Sequence, residues 1–404
     1  AIYPGCTVDD PRDGCTTAPP LPAGVASTPS AYELGLELVV EAGGRTLASD
    51  RSLLYLLVDA LGTWTAEEMW APAFGRPVAT IAGGRAAAAA GTEVVVWETE
   101  PWLAPDAAIT VSGPPARAIA MAGDLLVVGA PNVGPGVGTG VAHVLRRGAT
   151  GWAPEATLTS TERSFGAAIA TDGVRVAIGA PLEDGEREGE GAVHLYAEAG
   201  GSWAEEASLA PEDAGPHDHF GTSLAMRADV LAVGAPGEDS AGGDSGAVYV
   251  FALEATGATE LERLRPIDGS GLHGDFGNLF GTDVELAPDA SRLVAGAPGD
   301  RRAGAVYVFG ARPAGGYGLV ERIGPGAGVW GQHFGERVGL DLERVLVSAP
   351  ARFDVDAGIF GVVAAFSVVG MCGARTTTTS SPTTFAISST RRTSASAWAA
   401  KAAP

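Results

Sequence analysis

The segment FGTSLAMRADVLAVGAPGEDSAGGDSGAVYVF, Phe220–Phe251, decides how this chain is read. It opens on Phe220-Gly221, runs through an apolar stretch into Gly234-Ala235-Pro236, crosses an acidic, glycine-rich loop and ends in Ala-Val-Tyr-Val-Phe. Upstream, Phe165-Gly166 leads to Gly179-Ala180-Pro181 and then to Ala-Val-His-Leu-Tyr196. Downstream, Phe280-Gly281 leads to Gly296-Ala297-Pro298 and another Ala-Val-Tyr-Val-Phe309. Sixteen residues separate Phe from Pro in the first two copies and eighteen in the third, where Asp289-Ala290 marks a loop insertion. Repetition on this scale sets the architecture before any local signal is weighed.

Fainter copies follow from the same ruler. Phe334-Gly335 leads to Ser348-Ala349-Pro350 at the same spacing, and Gly129-Ala130-Pro131 implies a start at Pro115-Ala116, where Phe-Gly is lost. Phe74-Gly75 leads to an alanine run ending at Ala90, and a shift of forty residues lays Leu34-Gly35 on Phe74-Gly75. Copies therefore start at residues 34, 74, 115, 165, 220, 280 and 334. Each reads as four short strands: one after Phe-Gly, one running into Gly-Ala-Pro, the Ala-Val-Tyr-Val-Phe strand, and one carrying Trp or Leu, as in Trp203–Leu209. Four strands per repeat, at periods of roughly 40–60 residues, predict an all-β chain: a seven-bladed β-propeller of four-stranded antiparallel blades. The second strands are almost continuously apolar, as strands buried on both faces must be. The glycine of Gly-Ala-Pro allows close backbone approach, and its proline is expected to end the strand.

These repeats resemble FG-GAP repeats, those of the integrin α-subunit head and of many bacterial surface proteins. The resemblance spans residue 34 to about residue 369 and is densest in the copies starting at 165, 220 and 280. It implies a non-catalytic binding or adhesion module, secreted or on the cell surface, in a bacterial envelope or outside the cell. Its ligand would be a protein or a surface glycan. The alternatives are a purely structural propeller within an envelope protein, and an enzyme whose axial funnel gathers polar groups of perturbed pKa. The expected layout is a leader over residues 1–30, the propeller over 31–372 and a Ser/Thr/Ala-rich tail over 373–404 with nothing to bury and no fixed structure. The last copy shows no clear fourth strand. The leader is favoured to supply it, with the Thr-rich stretch 375–390 as the alternative.

Composition narrows the chemistry. The 404 residues hold 26 Lys+Arg against 48 Asp+Glu, a formal charge of −22, which speaks against nucleic acid because phosphates need basic patches. The one lysine is Lys401, so P-loop, Schiff-base and Ser-Lys chemistry is excluded from the repeats. No apolar run reaches the ~18 residues of a membrane span. The chain opens on Ala1, as a processed or partial chain would, and Cys6 and Cys15 lie close enough in sequence for a disulfide as readily as for two free thiols. Gly243-Asp-Ser-Gly246 echoes a serine-protease nucleophile, but no poised histidine accompanies it by pattern. His217-Asp218-His219 looks like a metal cluster, yet His219 precedes Phe-Gly as His333 does, which makes it a repeat position.

Calcium is implied by the resemblance, through Asp-rich loops between the first two strands of a blade. Here those loops offer one or two carboxylates each, and no motif calls for a cofactor. The loops between second and third strands are richer: Glu183, Asp184, Glu186, Glu188 and Glu190, then Glu238, Asp239 and Asp244, then Asp300, then Asp354 and Asp356. Loops entering the next blade add Glu212, Asp213 and Asp218 on the same face. A solvated acidic rim is the plain reading. The functional one is a low-affinity divalent-cation site, calcium for example, bridging Glu183, Asp184, Glu238 and Asp239.

Overall fold

The computed structural model describes residues 37–41, 45–49, 54–60, 63–98, 105, 107–132, 140–255, 257–266, 277–325, 333–340, 342, 344–354, 359–367 and 383–385. Among them lie seven four-stranded antiparallel sheets, each a meander in chain order, and no α-helix. The sheets run over residues 37–70, 78–110, 118–160, 168–209, 223–264, 284–323 and 338–385. Their innermost strands touch in sequence order, and the first also meets the seventh, so the contacts form a ring in a propeller-like arrangement. Residues 37–70, the faintest copy, form Glu37–Glu41, Arg45–Ser49, Leu54–Ala60 and Thr63–Trp70.

Apolar faces meet between neighbouring sheets, which is why the second strands read as unbroken apolar runs. Leu231, Ala232 and Val233 of the fifth sheet are fully buried; Leu231 and Val233 pack with Val193 and Leu195 of the fourth. The Phe-Gly turn fixes each junction. Its phenylalanine packs edge-on against the third strand of its own sheet: Phe165 on His194, Phe220 on Tyr249, Phe280 on Tyr307 and Phe334 on Phe366. Its backbone presses into the sheet before it. A Cβ on Gly234 would overlap the carbonyl oxygen of Gly281, and one on Gly246 that of Phe280. The pairs Gly129/Gly140, Gly179/Gly191 and Gly296/Gly304 cradle the other turns in the same way. The residue ahead of each phenylalanine takes a left-handed φ: Ser164 61°, His219 55°, Leu279 55° and His333 47°. Arginines at the start of second strands tie the opposite face: Arg85 to Asp124, Arg175 to Asp229 and Arg292 to the Leu342 carbonyl.

Three expectations need correction. In the fourth and fifth sheets, the residue two after the Phe-Gly glycine pairs with the glycine of Gly-Ala-Pro (Ala168 with Gly179, Ser223 with Gly234). The equivalent pair in the second sheet is Val78 with Ala89, so Arg76 holds the glycine position and Phe74-Gly75 falls one residue early. Phe74 is accordingly 83% exposed and anchors nothing. The proline does not always end the strand either: Pro131, Pro181, Pro236 and Pro298 do, but Arg344–Asp354 runs through Pro350. A register irregularity between Ala349 and Phe353 absorbs the missing N–H. Lastly, the fourth strand of the seventh sheet is Thr383–Phe385, paired with Val363–Ala365, so the Thr-rich stretch supplies it and the sheet extends past residue 372. Strand addition needs only backbone groups, which low-complexity sequence still carries. The leader 1–30, with Cys6 and Cys15, lies outside the described residues, as does the rest of the tail.

Candidate functional site

The acidic loops do converge. The loop entering the fifth sheet lies between the long loops of the fourth and fifth, and main-chain bonds stitch it to both. His217, His219 and Phe220 donate N–H to the carbonyls of Glu188, Gly189 and Glu190, and Gly237 donates to that of Asp218. One junction on, Gly277, Leu279 and Phe280 donate to Gly243, Asp244 and Ser245. The rim over these sheets is therefore a bonded surface rather than a set of free loops.

Its carboxylates hold it together. Asp184 Oδ1 accepts the Gly189 N–H at 2.7 Å, and Glu190 accepts those of Glu186 and Arg187 at 3.2 and 3.1 Å. Asp239 accepts from Asp244 at 2.7 Å and Asp218 from Gly215 at 2.6 Å. A carboxylate that closes a turn satisfies backbone donors that a glycine-rich loop would otherwise leave to water. These donors offset part of the repulsion among the carboxylates. Asp218 is buried there, and desolvation, added to by Glu238, Asp239 and Asp213, pushes its carboxyl up to about 6. The carboxylates left facing solvent are Asp184, Glu186, Glu188, Glu212, Asp213, Asp239 and Asp244.

The four residues expected to share a cation have separate partners. Glu183 Oε2 meets His194 Nε2 at 2.7 Å, Asp184 and Asp239 close their own loops, and Glu238 is buried beside Arg263 and Arg265 at 3.5 and 3.4 Å. Among the described residues no group of three or more His, Cys, Asp or Glu side chains could hold a metal ion. His217 and His219 lie with ring centroids 6.0 Å apart, while Asp218 between them is turned inward. Ser245 Oγ donates to the Glu238 carbonyl, which occupies it structurally.

Beneath the rim lies a constellation that the motif reading missed. Two residues after the Gly-Ala-Pro proline, the fourth, fifth and sixth sheets each place an acid: Glu183, Glu238 and Asp300. Opposite stands a third-strand residue, His194, Tyr249 or Tyr307. In the fifth and sixth sheets a fourth-strand arginine, Arg263 or Arg322, faces that tyrosine. In the fourth, Ser208 takes the arginine's place and the cation moves to the imidazole. His194 bonds Glu183 at 2.7 Å and Glu205 at 2.9 Å; burial opposes its charge, but the two carboxylates prevail and raise its pKa to about 9. Each of these acids thus keeps at least one cation beside it, as burial demands. The signal was available in sequence as an acid at a fixed offset from Gly-Ala-Pro.

The inner strand of the first sheet carries Glu37 and Glu41. In the inner strands of sheets two to seven the charged side chains are Arg227 and Glu285, paired at 3.2 Å, with the Glu285 carboxyl pushed up by burial.

Comparison with known proteins bears on this geometry. Residues 203–251 match the family model of the FG-GAP repeat, from the last strand of the fourth sheet to the third strand of the fifth. No curated protein matches the chain. Among solved structures, a chain in the crystal structure of the mitotic checkpoint complex is similar at 11% identity and a TM-score of 0.53, covering 86% of this chain and 95% of that one. That likeness concerns the fold alone. The computationally designed Ika8 protein is similar at 15% identity with a TM-score of 0.47, covering 85% of this chain and 86% of that one. No helix of the described residues is long and apolar enough to cross a membrane.

Proposed function

We propose that this chain, an FG-GAP repeat protein, is a closed seven-bladed β-propeller serving as a non-catalytic binding module, secreted or displayed on the cell surface. Its ligand surface is the acidic rim over the fourth and fifth sheets. The observation that carries this reading is the stitching of those loops: carboxylates and main-chain bonds order the rim before any ligand arrives, so little entropy is lost on binding. A divalent cation remains a proposal for the exposed carboxylates, acting there as a bridge to a ligand's own oxygens.

The test compares wild type with a triple variant, Glu186→Gln, Glu188→Gln and Asp239→Asn, immobilised against surface proteins and glycans with and without calcium. Loss of the captured ligand on the variant, with the melting temperature unchanged, supports the rim. Equal capture by both proteins rules the rim out as the binding surface. A calcium-dependent rise in the wild-type melting temperature would support the cation reading, and its absence at saturating calcium would end it.

A further inference from the structure

The junctions into the fifth and sixth sheets follow one backbone plan. His217, His219 and Phe220 donate to the carbonyls of Glu188, Gly189 and Glu190 as Gly277, Leu279 and Phe280 donate to those of Gly243, Asp244 and Ser245. Gly237 donates to the Asp218 carbonyl as Gly299 does to that of Asn278. Position for position, His217 (φ 64°) stands where Gly277 (φ 74°) does, and His219 (φ 55°) where Leu279 (φ 55°) does. The turn therefore asks for two left-handed residues, and the sixth sheet meets that demand with a glycine and an apolar side chain. Imidazoles are not part of the demand. A non-glycine residue at positive φ is strained, and strain of this kind gathers at functional sites. A second difference lies opposite. Gly189 takes the place of Asp244, and both rings face the space that its missing side chain leaves: a Cβ on Gly189 would stand 3.1 Å from His217 Nδ1 and 3.7 Å from His219 Nε2. The ring centroids are 6.0 Å apart, and Asp218 between them is buried, so the two imidazoles share one side of the loop. His143 and His194 spend ring nitrogens on the Ser112 carbonyl and on Glu183 and Glu205. Those of His217 and His219 have no hydrogen-bond partner among the described residues.

We propose that His217 and His219, cradled over Gly189, form a two-nitrogen site for a divalent transition-metal ion of the zinc class. Imidazole nitrogens suit zinc, nickel and copper, whereas calcium and magnesium take oxygen ligands. The site is therefore distinct from the carboxylate bridge considered for the rim, and it does not rest on that reading. Asp184 Oδ1 accepts the Gly189 N–H at 2.7 Å and so fixes the floor of the cradle. Asp184, Glu188 and Asp244, all exposed on the same rim, add a negative potential that concentrates cations there. Among the described residues no third His, Cys, Asp or Glu completes the set, so the ion keeps its other positions for water or for a donor on a docking partner. That His219 holds a repeat position accounts for its backbone. Leu279 at the equivalent place shows that it does not account for the ring. At the junction into the seventh sheet His333 has Gly331 two residues before it, so the pair is not repeated there.

Calorimetric titration of the full chain with zinc chloride, after alkylation of any free thiols among Cys6, Cys15 and Cys372, tests the site. The sixth sheet supplies the variants, because His217→Gly and His219→Leu install the residues that the same turn carries there. Each should fold with a melting temperature at or above that of wild type. Each should also bind zinc about tenfold or more weakly, because the second donor of a chelate binds intramolecularly. His333→Gln should leave zinc binding unchanged, and calcium at equal concentration should not displace zinc. Proton NMR of the wild type needs no variant: two of the six imidazoles should shift together as zinc is added. Zinc binding of equal strength in wild type and both variants, or titration of wild type with no paired imidazole shift, overturns the site. So does a wild type that binds no zinc, and so does displacement by calcium, which would assign the heat to the carboxylates. None of these results touches the rim as a ligand surface, since that is scored by capture on the carboxylate variants.

Discussion

Replacing Tyr307 and Tyr249 by phenylalanine, one at a time, should give opposite results although the two tyrosines occupy the same repeat position. Tyr307 OH donates to the Asp300 carboxylate at 2.7 Å, with both residues buried. Tyr307→Phe deletes that donor and leaves Asp300 Oδ2 with Arg322 at 2.9 Å, beside the looser Arg301 pair at 3.9 Å. A hydrogen bond to a charged group contributes about 1.5–3 kcal/mol, so the loss should be of that order. Tyr249 OH is equally buried but bonds nothing among the described residues. Tyr249→Phe removes an unsatisfied hydroxyl at constant shape, and should be neutral or stabilising by roughly 0.5 kcal/mol. Both rings keep their edge contact with Phe280 or Phe220, so packing cancels in the comparison. Denaturant unfolding at one pH, with midpoints compared at equal slope, reads the difference directly. Equal losses from the two substitutions, or a larger loss at Tyr249, would refute the contrast between a closed and an open group.

Three further outcomes are expected. His194, held at about 9 against 6.5 for the free side chain, stabilises the fold fully below pH 6.5 and loses that contribution as pH rises through 9; melts from pH 6 to 10 should show the fall, and His194→Phe should remove it. The shift corresponds to about 3 kcal/mol at most, and less in practice because Glu205 is partly exposed. Gly234→Ala forces a methyl into the Gly281 carbonyl and Ser223 Oγ, so soluble expression should collapse, whereas Gly83→Ala, with nothing near it and φ 58°, should cost only about 1–2 kcal/mol. Phe220→Ala should cost about 3–5 kcal/mol by opening a core cavity, while Phe74→Ala should leave the melting temperature within error; a large loss at Phe74 would contradict the one-residue offset of the second sheet.

What could be read from the sequence follows from which residues the junctions constrain. The Phe-Gly and Gly-Ala-Pro positions are legible because each has one steric solution: a ring under the third strand and a backbone with no room for Cβ. Where the constraint relaxes, the reading slips. At the junction into the second sheet, Ser49 Oγ of the first sheet donates to the Pro77 carbonyl, as Ser223 Oγ of the fifth donates to that of Gly281, so a contact is made there without a Phe-Gly pair. Thr383–Phe385 was invisible as a preferred strand because an edge strand asks little of its side chains. The acidic loops were legible as acidic but not as ordered. Charge counting treats Asp184 and Glu190 as repelling neighbours, while their oxygens in fact close the loop on its own N–H groups.

The stretch 203–251 begins at a fourth strand and ends at a third, out of phase with the sheets themselves. That phase has a physical basis. Within a sheet, four strands pair by local hairpins that many sequences can form. The demanding part is the junction. There the loop after Leu209 must reach the long loop of its own sheet, place His219 at positive φ, bury Phe220 under Tyr249 and seat Gly221 against Gly179. Those demands fall between Trp203 and Phe251, apart from the carbonyls of Glu188, Gly189 and Glu190 that receive the loop and the glycines Gly179 and Gly191 that receive the turn. A sequence pattern persists where alternatives are sterically excluded, so it tracks the junction and not the blade. The ligand surface proposed for this chain sits on the same junction. Asp213 and Asp218 belong to the loop that the Phe-Gly turn anchors, and Arg263 ties that loop back to the fifth sheet. A ligand bound on that rim would therefore act on the element that locks two sheets together, and its binding should be felt in the stability of that junction.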